Sequence, residues 1–159
     1  MNNKPFTLKF TGNAINKGSM RNDINVSFES MNETFKLATD EGAFHGGKGT
    51  APPPLALFTA SLCGCIMTQI KAFGKKLKIE VNEIEIDASM EWQGEVLEEG
   101  PYKASCDGYN LDIDIISEEP IERKKKLLEA AINGCFIEAS LKPGIVKHRL
   151  KYKENWLSI

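Results

Sequence analysis

Four thiols are the chemically strongest groups in this sequence: Cys63, Cys65, Cys106 and Cys135. A thiol becomes a good nucleophile when ionised, and a second thiol within reach can resolve the product as a disulfide. No two of the four form a CxxC pair, which excludes both a zinc ribbon and a thioredoxin-type motif. Cys63 and Cys65 stand two apart in a helical pattern, so they point roughly 200° apart and cannot hold one ion together. Cys65 and Cys135 each sit on the apolar stripe of a predicted helix, so helix packing would bring two thiols face to face. The plainer alternative is that both fill a core, since cysteine is among the most buried residue types. Cys63 reads as core or interface filler, and Cys106 as incidental in or beside a loop. His45 reads as an exposed loop residue and His148 as a half-buried strand residue. Gly46, Gly47, Lys48 and Gly49 lack the GxxxxGK-Ser/Thr spacing of a phosphate loop. No metal site and no cofactor is expected.

Period-2 alternation predicts strands through Phe6, Leu8 and Phe10, through Ile24, Val26 and Phe28, and through Phe35 and Leu37. Turns are expected at Asn22-Asp23 and Met31-Asn32. Residues 40–53 are rich in glycine and proline and read as a loop. Pro54 suits the first turn of a helix over 55–73, apolar or small on all sides at first and hence expected to be buried. Its small residues Ala56, Ala60 and Gly64 form a stripe along which another helix can approach closely. Gly74 and the lysines after it suit the helix end. The parity of apolar positions switches at Asn82-Glu83, marking a bulge or short linker before a long strand ending near Trp92. Residues 94–107 read as loop, and Leu111, Ile113 and Ile115 as a strand. A second helix is predicted over 118–141, with Leu128, Ala131, Ile132, Cys135 and Ala139 on one apolar face and Arg123–Lys126 as a solvated charge run. Residues 145–153 form the last strand. The order βββ-α-ββ-α-β gives an α+β fold, as one domain over residues 1–159.

Composition narrows the function. Twenty Lys+Arg against 22 Asp+Glu leave a net charge of −2, which argues against a general grip on nucleic acid. No consecutive apolar run reaches the ~18 residues of a membrane span, so no membrane partner is expected. The segment MNNKPFTLKF lacks the apolar core of a secretory signal, which points to the cytoplasm and to reduced thiols.

The segment PLALFTASLCGC, residues 54–65, resembles the helix-starting motif of the OsmC/Ohr family, Asn-Pro-x-x-Leu-Leu-x-Ala-x-x-x-x-Cys. The family cysteine stands eleven residues after the proline, and that count from Pro54 reaches Cys65. Ala130-Ala131-Ile132-Asn133-Gly134-Cys135, with Leu141 six residues on, resembles the family's second-cysteine helix. The resemblance implies an OsmC-like fold, an intertwined homodimer and a thiol peroxidase that reduces organic hydroperoxides. It implies Cys65 as the peroxidatic thiolate, Cys135 as its disulfide partner and an external dithiol as reductant. It also implies an activating arginine from the N-terminal strands, where Arg21 is the candidate. Two positions depart from the pattern: Leu55 replaces a glutamate that orients the arginine, and Phe136 replaces a proline after the second cysteine. Leu55 motivates the alternative of a non-enzymatic dimer that binds a small apolar ligand or a partner.

Overall fold

The computed structural model describes residues 5–159. They form two compact units that divide between Phe58 and Thr59, inside a continuous helix. The first unit is an antiparallel sheet of β1 (Phe10–Asn16), β2 (Asn22–Phe28) and β3 (Glu33–Thr39), in that spatial order. Its register sets Phe10 opposite Phe28, Ala14 opposite Ile24, Val26 opposite Phe35 and Ile24 opposite Leu37. Alternation therefore collects these apolar side chains on one face. Phe10 and Phe28 stack with ring centroids 4.4 Å apart, yet Phe10 is 55% exposed and Leu37 46% exposed in the single chain.

The strand starts differ from the alternation pattern. Phe6 and Leu8 precede β1 and lie outside any strand, and Asn22-Asp23 opens β2 rather than forming a turn. The turn is earlier, where the Asn16 side chain donates to the Ser19 and Arg21 carbonyls and Gly18 takes φ +75°. The expected turn at Met31-Asn32 is present, with Asn32 at φ 52° after one 3-10 turn.

Helix α1 (Pro54–Leu77) begins at Pro54, as expected. It runs past Gly74, which is needed for packing rather than for termination: a Cβ there would lie 3.1 Å from the Ile79 carbonyl oxygen. Lys75 and Lys76 fall in the last turn, where cations meet the negative end of the helix dipole. Its buried residues Leu62, Ile66, Ile70 and Gly74 follow one line at fourfold spacing. The expectation of burial on all sides does not hold for this chain, because Ala56, Ala60 and Gly64 are exposed. The helix contains no unbroken apolar run of the ~18 residues of a membrane span, but it passes a test of average hydropathy. Its best 18-residue window has a mean hydropathy of 1.4, long and apolar enough by length and composition to cross a membrane. Core helices of soluble proteins meet the same criterion.

The second unit holds a sheet of β4 (Glu83–Glu95), β5 (Lys103–Ile116), β6 (Val146–Tyr152) and β7 (Asn155–Ser158), in that order. β4–β5 is a long antiparallel hairpin, β5–β6 is parallel and β6–β7 antiparallel. Residues 79–82 are the linker that the parity switch marked, with Ile79 buried but outside any strand. The span read as loop over 94–107 is mostly hairpin, so Cys106 lies in β5 beside the bulge at Glu91/Trp92. β7 is an addition to the expected order. The parallel β5–β6 pairing needs a crossover, supplied by α2 (Ile121–Asn133). Leu127, Leu128 and Ala131 of α2 join Leu62, Ile66, Ile70, Leu111, Ile113 and Leu150 in the buried core.

The second helix is shorter than its pattern. It stops at Asn133, and a separate turn, α3 (Phe136–Ala139), follows. The break falls after Gly134, which keeps helical torsions of φ −97° and ψ −1°, where Cys135 turns extended. A Cβ on Gly134 would lie 2.5 Å from the Phe73 ring of α1, so glycine gives that ring room. The mixed order of strands and helices is α+β, as the sequence pattern predicts.

Candidate functional site

Cys65 follows Leu62 by three residues and stands at the margin of the buried line of α1, half-buried. Cys135 is 1% exposed. It is not a late residue of the second helix, as the continued periodicity suggested. It takes extended torsions, φ −79° and ψ 109°, as the N-cap of α3. The Cys65 thiol lies near enough to Cys135 to act on its titration. Two thiols 70 positions apart in sequence, 135 against 65, therefore meet inside the second unit.

Burial first, and the neighbouring Cys65 thiol second, push the Cys135 thiol up from an ordinary value of 9.0 to about 12. The Glu138 backbone N–H, donating to Cys135 Sγ at 3.4 Å, acts in the opposite direction. Cys135 is thus a thiol that keeps its proton at neutral pH. A raised folded-state value links folding to pH. Between about pH 9 and 12 the unfolded chain releases this proton while the folded chain retains it, so this contribution is complete below 9 and lost as pH rises through the folded value. Melting temperature is expected to fall more steeply above pH 9 in the wild type than in Cys135→Ser, read by circular dichroism under reducing conditions. Parallel curves contradict the assignment.

Behind Cys135 lies a pair that the sequence reading missed. Glu138 Oε2 and His148 Nε2 are 3.1 Å apart, with side chains 19% and 5% exposed. His148 points inward from β6 between Val146 and Leu150, consistent with a satisfied, largely buried histidine. The available signal was the Cys-x-x-Glu spacing, which is that of a capping box with its N-cap and N3 residues.

The other expected candidates separate from this pair. Burial raises the Cys63 thiol, in keeping with a filler role. Cys106 hydrogen-bonds Tyr109, whose ring lies 5.6 Å from that of Trp92. His45 is exposed and 3.4 Å from Glu41. Arg123 pairs with Glu119 at 2.8 Å, and Arg149 with Asp112. Arg21 belongs to the first unit, where Nε donates to Asp23 Oδ1 at 3.0 Å and Nη1 to Thr50 Oγ1 at 2.9 Å. A concavity of about 670 Å³ on the outer face of the second sheet is lined by Asp87, Asn110, Lys147 and Arg149, and no cysteine contributes to it. Among the described residues no group of three or more His, Cys, Asp or Glu is arranged to hold a metal ion.

This arrangement permits two-thiol redox chemistry: a half-exposed sulfur to meet an electrophile and a buried, protonated sulfur beside it to close a disulfide. Comparison with known proteins agrees in fold and family. The family model described as OsmC-like protein matches residues 47–149. A crystal structure of an OsmC-like hydroperoxide resistance protein from Jannaschia sp. CCS1 shares 38% identity over 96% of this chain and 98% of that one, with a TM-score of 0.56. An organic hydroperoxide resistance protein OsmC from Legionella pneumophila shares 19% identity over 91% and 95%, with a TM-score of 0.62. An OsmC-like protein of unknown function from Vibrio cholerae shares 15% over 92% and 100%, with a TM-score of 0.65. No curated protein matches the chain. With the matched span, the Jannaschia likeness and the two-sheet architecture in agreement, this chain belongs to the OsmC-like family.

Proposed function

We propose that this protein is a cysteine-based peroxidase that reduces organic hydroperoxides. The contact between Cys65 and Cys135 carries the reading, and the 38% identical Jannaschia relative, named a hydroperoxide resistance protein, supports it. The Cys65 thiolate attacks the terminal peroxide oxygen. The O–O bond breaks, the alkoxide takes a proton and leaves as an alcohol, and the sulfur, oxidised by two electrons, becomes a sulfenic acid. The Cys135 sulfur then attacks the Cys65 sulfur, water leaves and a disulfide forms. An external dithiol exchanges with that disulfide and restores both thiols. Arg21 is the cation assigned to favour the thiolate and to receive the peroxide oxygens.

The working form in this proposal is a homodimer in the cytoplasm, each copy one functional domain. Two exposed apolar surfaces support the dimer: the Phe10/Phe35/Leu37 face of the first sheet and the small-residue stripe of α1. A second copy covers that stripe, in preference to lipid.

Native mass spectrometry of protein treated with one equivalent of cumene hydroperoxide tests the proposal. The expected species is a dimer in which each chain has lost two hydrogens, with the disulfide mapped to Cys65–Cys135 and reversed by dithiothreitol. Unchanged thiols with unconsumed peroxide overturn the peroxidase reading, and a monomer mass overturns the dimer.

A further inference from the structure

A second carboxylate lies near Arg21 that the proposed chemistry does not use. Asp40 follows β3 and is 3% exposed. A carboxylate this buried must be compensated by donors. Oδ1 accepts the Glu41 N–H at 2.9 Å, and Oδ2 accepts the Thr50 N–H at 2.9 Å and the Thr50 hydroxyl at 2.7 Å. These bonds, those from Thr50 foremost, hold the Asp40 carboxyl below its ordinary range. It is therefore an anion at neutral pH.

The Thr50 hydroxyl has one proton, and Asp40 takes it. Its lone pairs accept Arg21 Nη1 at 2.9 Å, and the Thr50 carbonyl accepts the same nitrogen at 3.3 Å. Hydrogen bonds in such a chain polarise one another, so the buried anion strengthens the hydroxyl as an acceptor toward the guanidinium. The Asp23 carboxylate takes Nε at 3.0 Å, so two adjacent nitrogens of the planar group are fixed. The intervening loop is built to return Thr50 to Asp40. The Gly47 and Gly49 N–H groups bond the Gly42 and Glu41 carbonyls. A Cβ on Gly47 would lie 1.8 Å from the Glu41 carbonyl oxygen, so that return requires glycine.

We propose that Asp40 and Thr50 are positioning residues for Arg21: the buried carboxylate orients the Thr50 hydroxyl, which with Asp23 aims the guanidinium. This rests on the peroxidase role assigned to Arg21. It supplies what Leu55 does not, a carboxylate that orients the arginine, from the opposite end of the loop before α1.

The test uses full-length Arg21→Ala, Thr50→Val, Thr50→Ser and the Arg21→Ala/Thr50→Val double variant, with Cys65→Ser as control. One readout is kcat/KM for cumene hydroperoxide at saturating dithiothreitol. The other is the pH midpoint for Cys65 alkylation by iodoacetamide, located by mass spectrometry. Thr50→Val is expected to lower kcat/KM about tenfold, the scale of one hydrogen bond to a charged group, and to move the alkylation midpoint upward. Thr50→Ser restores both, and the double variant matches Arg21→Ala alone. Asp40→Asn keeps an oxygen for the Thr50 N–H but removes the charge, and is expected to repeat the Thr50→Val result should that variant fail to fold. Wild-type kinetics in Thr50→Val or in a folded Asp40→Asn, beside a slowed Arg21→Ala, overturn the inference alone. So do effects of Thr50→Val and Arg21→Ala that add. Wild-type kinetics in Arg21→Ala overturn the arginine role together with it, and full turnover by Cys65→Ser overturns the peroxidase reading itself.

Discussion

Cys65→Ser is expected to abolish hydroperoxide turnover, a loss of roughly a thousandfold or more in kcat/KM, with the fold intact. The argument is chemical before it is structural. Breaking an O–O bond by displacement needs a polarisable anionic nucleophile, and a serine hydroxyl is almost fully protonated at neutral pH. The exchange costs little packing, because Cys65 is half-buried at the edge of the apolar line and oxygen replaces sulfur with less volume. Cys63→Ser is the matched control. It changes the same atom two positions away, on a side of α1 turned roughly 200° from Cys65, and is expected to leave turnover within about twofold of wild type, since surface-neutral changes shift energies by only ~0.5 kcal/mol. The measurement is peroxide consumption coupled to dithiol oxidation, with melting curves to establish folding. Equal turnover in wild type and Cys65→Ser removes the peroxidase reading and leaves the dimer that binds an apolar ligand. That alternative gains independent support if Cys65 alkylation accelerates only near pH 9, the behaviour of an unassisted thiol.

What was legible in the sequence was local. Pro54 and the spacing of Leu62, Ile66 and Ile70 placed α1 and, with it, Cys65. The parity of Ile84 and Ile86 and that of Ile113 and Ile115 placed two strands, which the structure pairs with Ile84 opposite Ile115 and Ile86 opposite Ile113. Errors arose where tertiary contact overrode periodicity. Leu128, Ala131, Ile132 and Cys135 keep a helical rhythm through Gly134, packed on the Phe73 ring, but the backbone turns extended at Cys135. Cys135 consequently reaches Cys65 from a cap rather than from a helix face. The Glu138–His148 pair joins a one-turn helix to a strand ten positions further along the chain, which no period of 2 or 3.6 encodes. Asp40 and Thr50 meet because a glycine-rich loop closes, and the composition marked that loop only as irregular. Apolar surface on α1 was legible as well, but among the described residues Ala56, Ala60 and Gly64 stay exposed rather than covered.

Cys135→Ser is expected to separate the two chemical steps, leaving the first and stopping the second. Cys135 is a thiol that keeps its proton at neutral pH, because burial penalises its anion and the Cys65 contact adds to that penalty. A protonated thiol is a poor attacker of peroxide, so the proposed mechanism gives the first displacement to Cys65. Once Cys65 carries oxygen, the neighbouring sulfur becomes its nearest nucleophile and the departing group is water. Serine is slightly smaller and keeps a hydrogen-bonding group, but it cannot form the disulfide that a dithiol exchanges. Stopped-flow mixing should therefore show a burst close to one equivalent of peroxide per chain. A steady rate roughly a hundredfold below wild type should follow, consistent with loss of a residue acting in a later step. Dimedone should trap the sulfenic acid on Cys65, and excess peroxide should drive it to the sulfinic form, which dithiothreitol does not reverse. Steady turnover at the wild-type rate would mean that the external dithiol reduces the sulfenic acid directly and that Cys135 is a packing residue. A missing burst would move Cys135 into the first displacement, against the protonation that burial imposes on it.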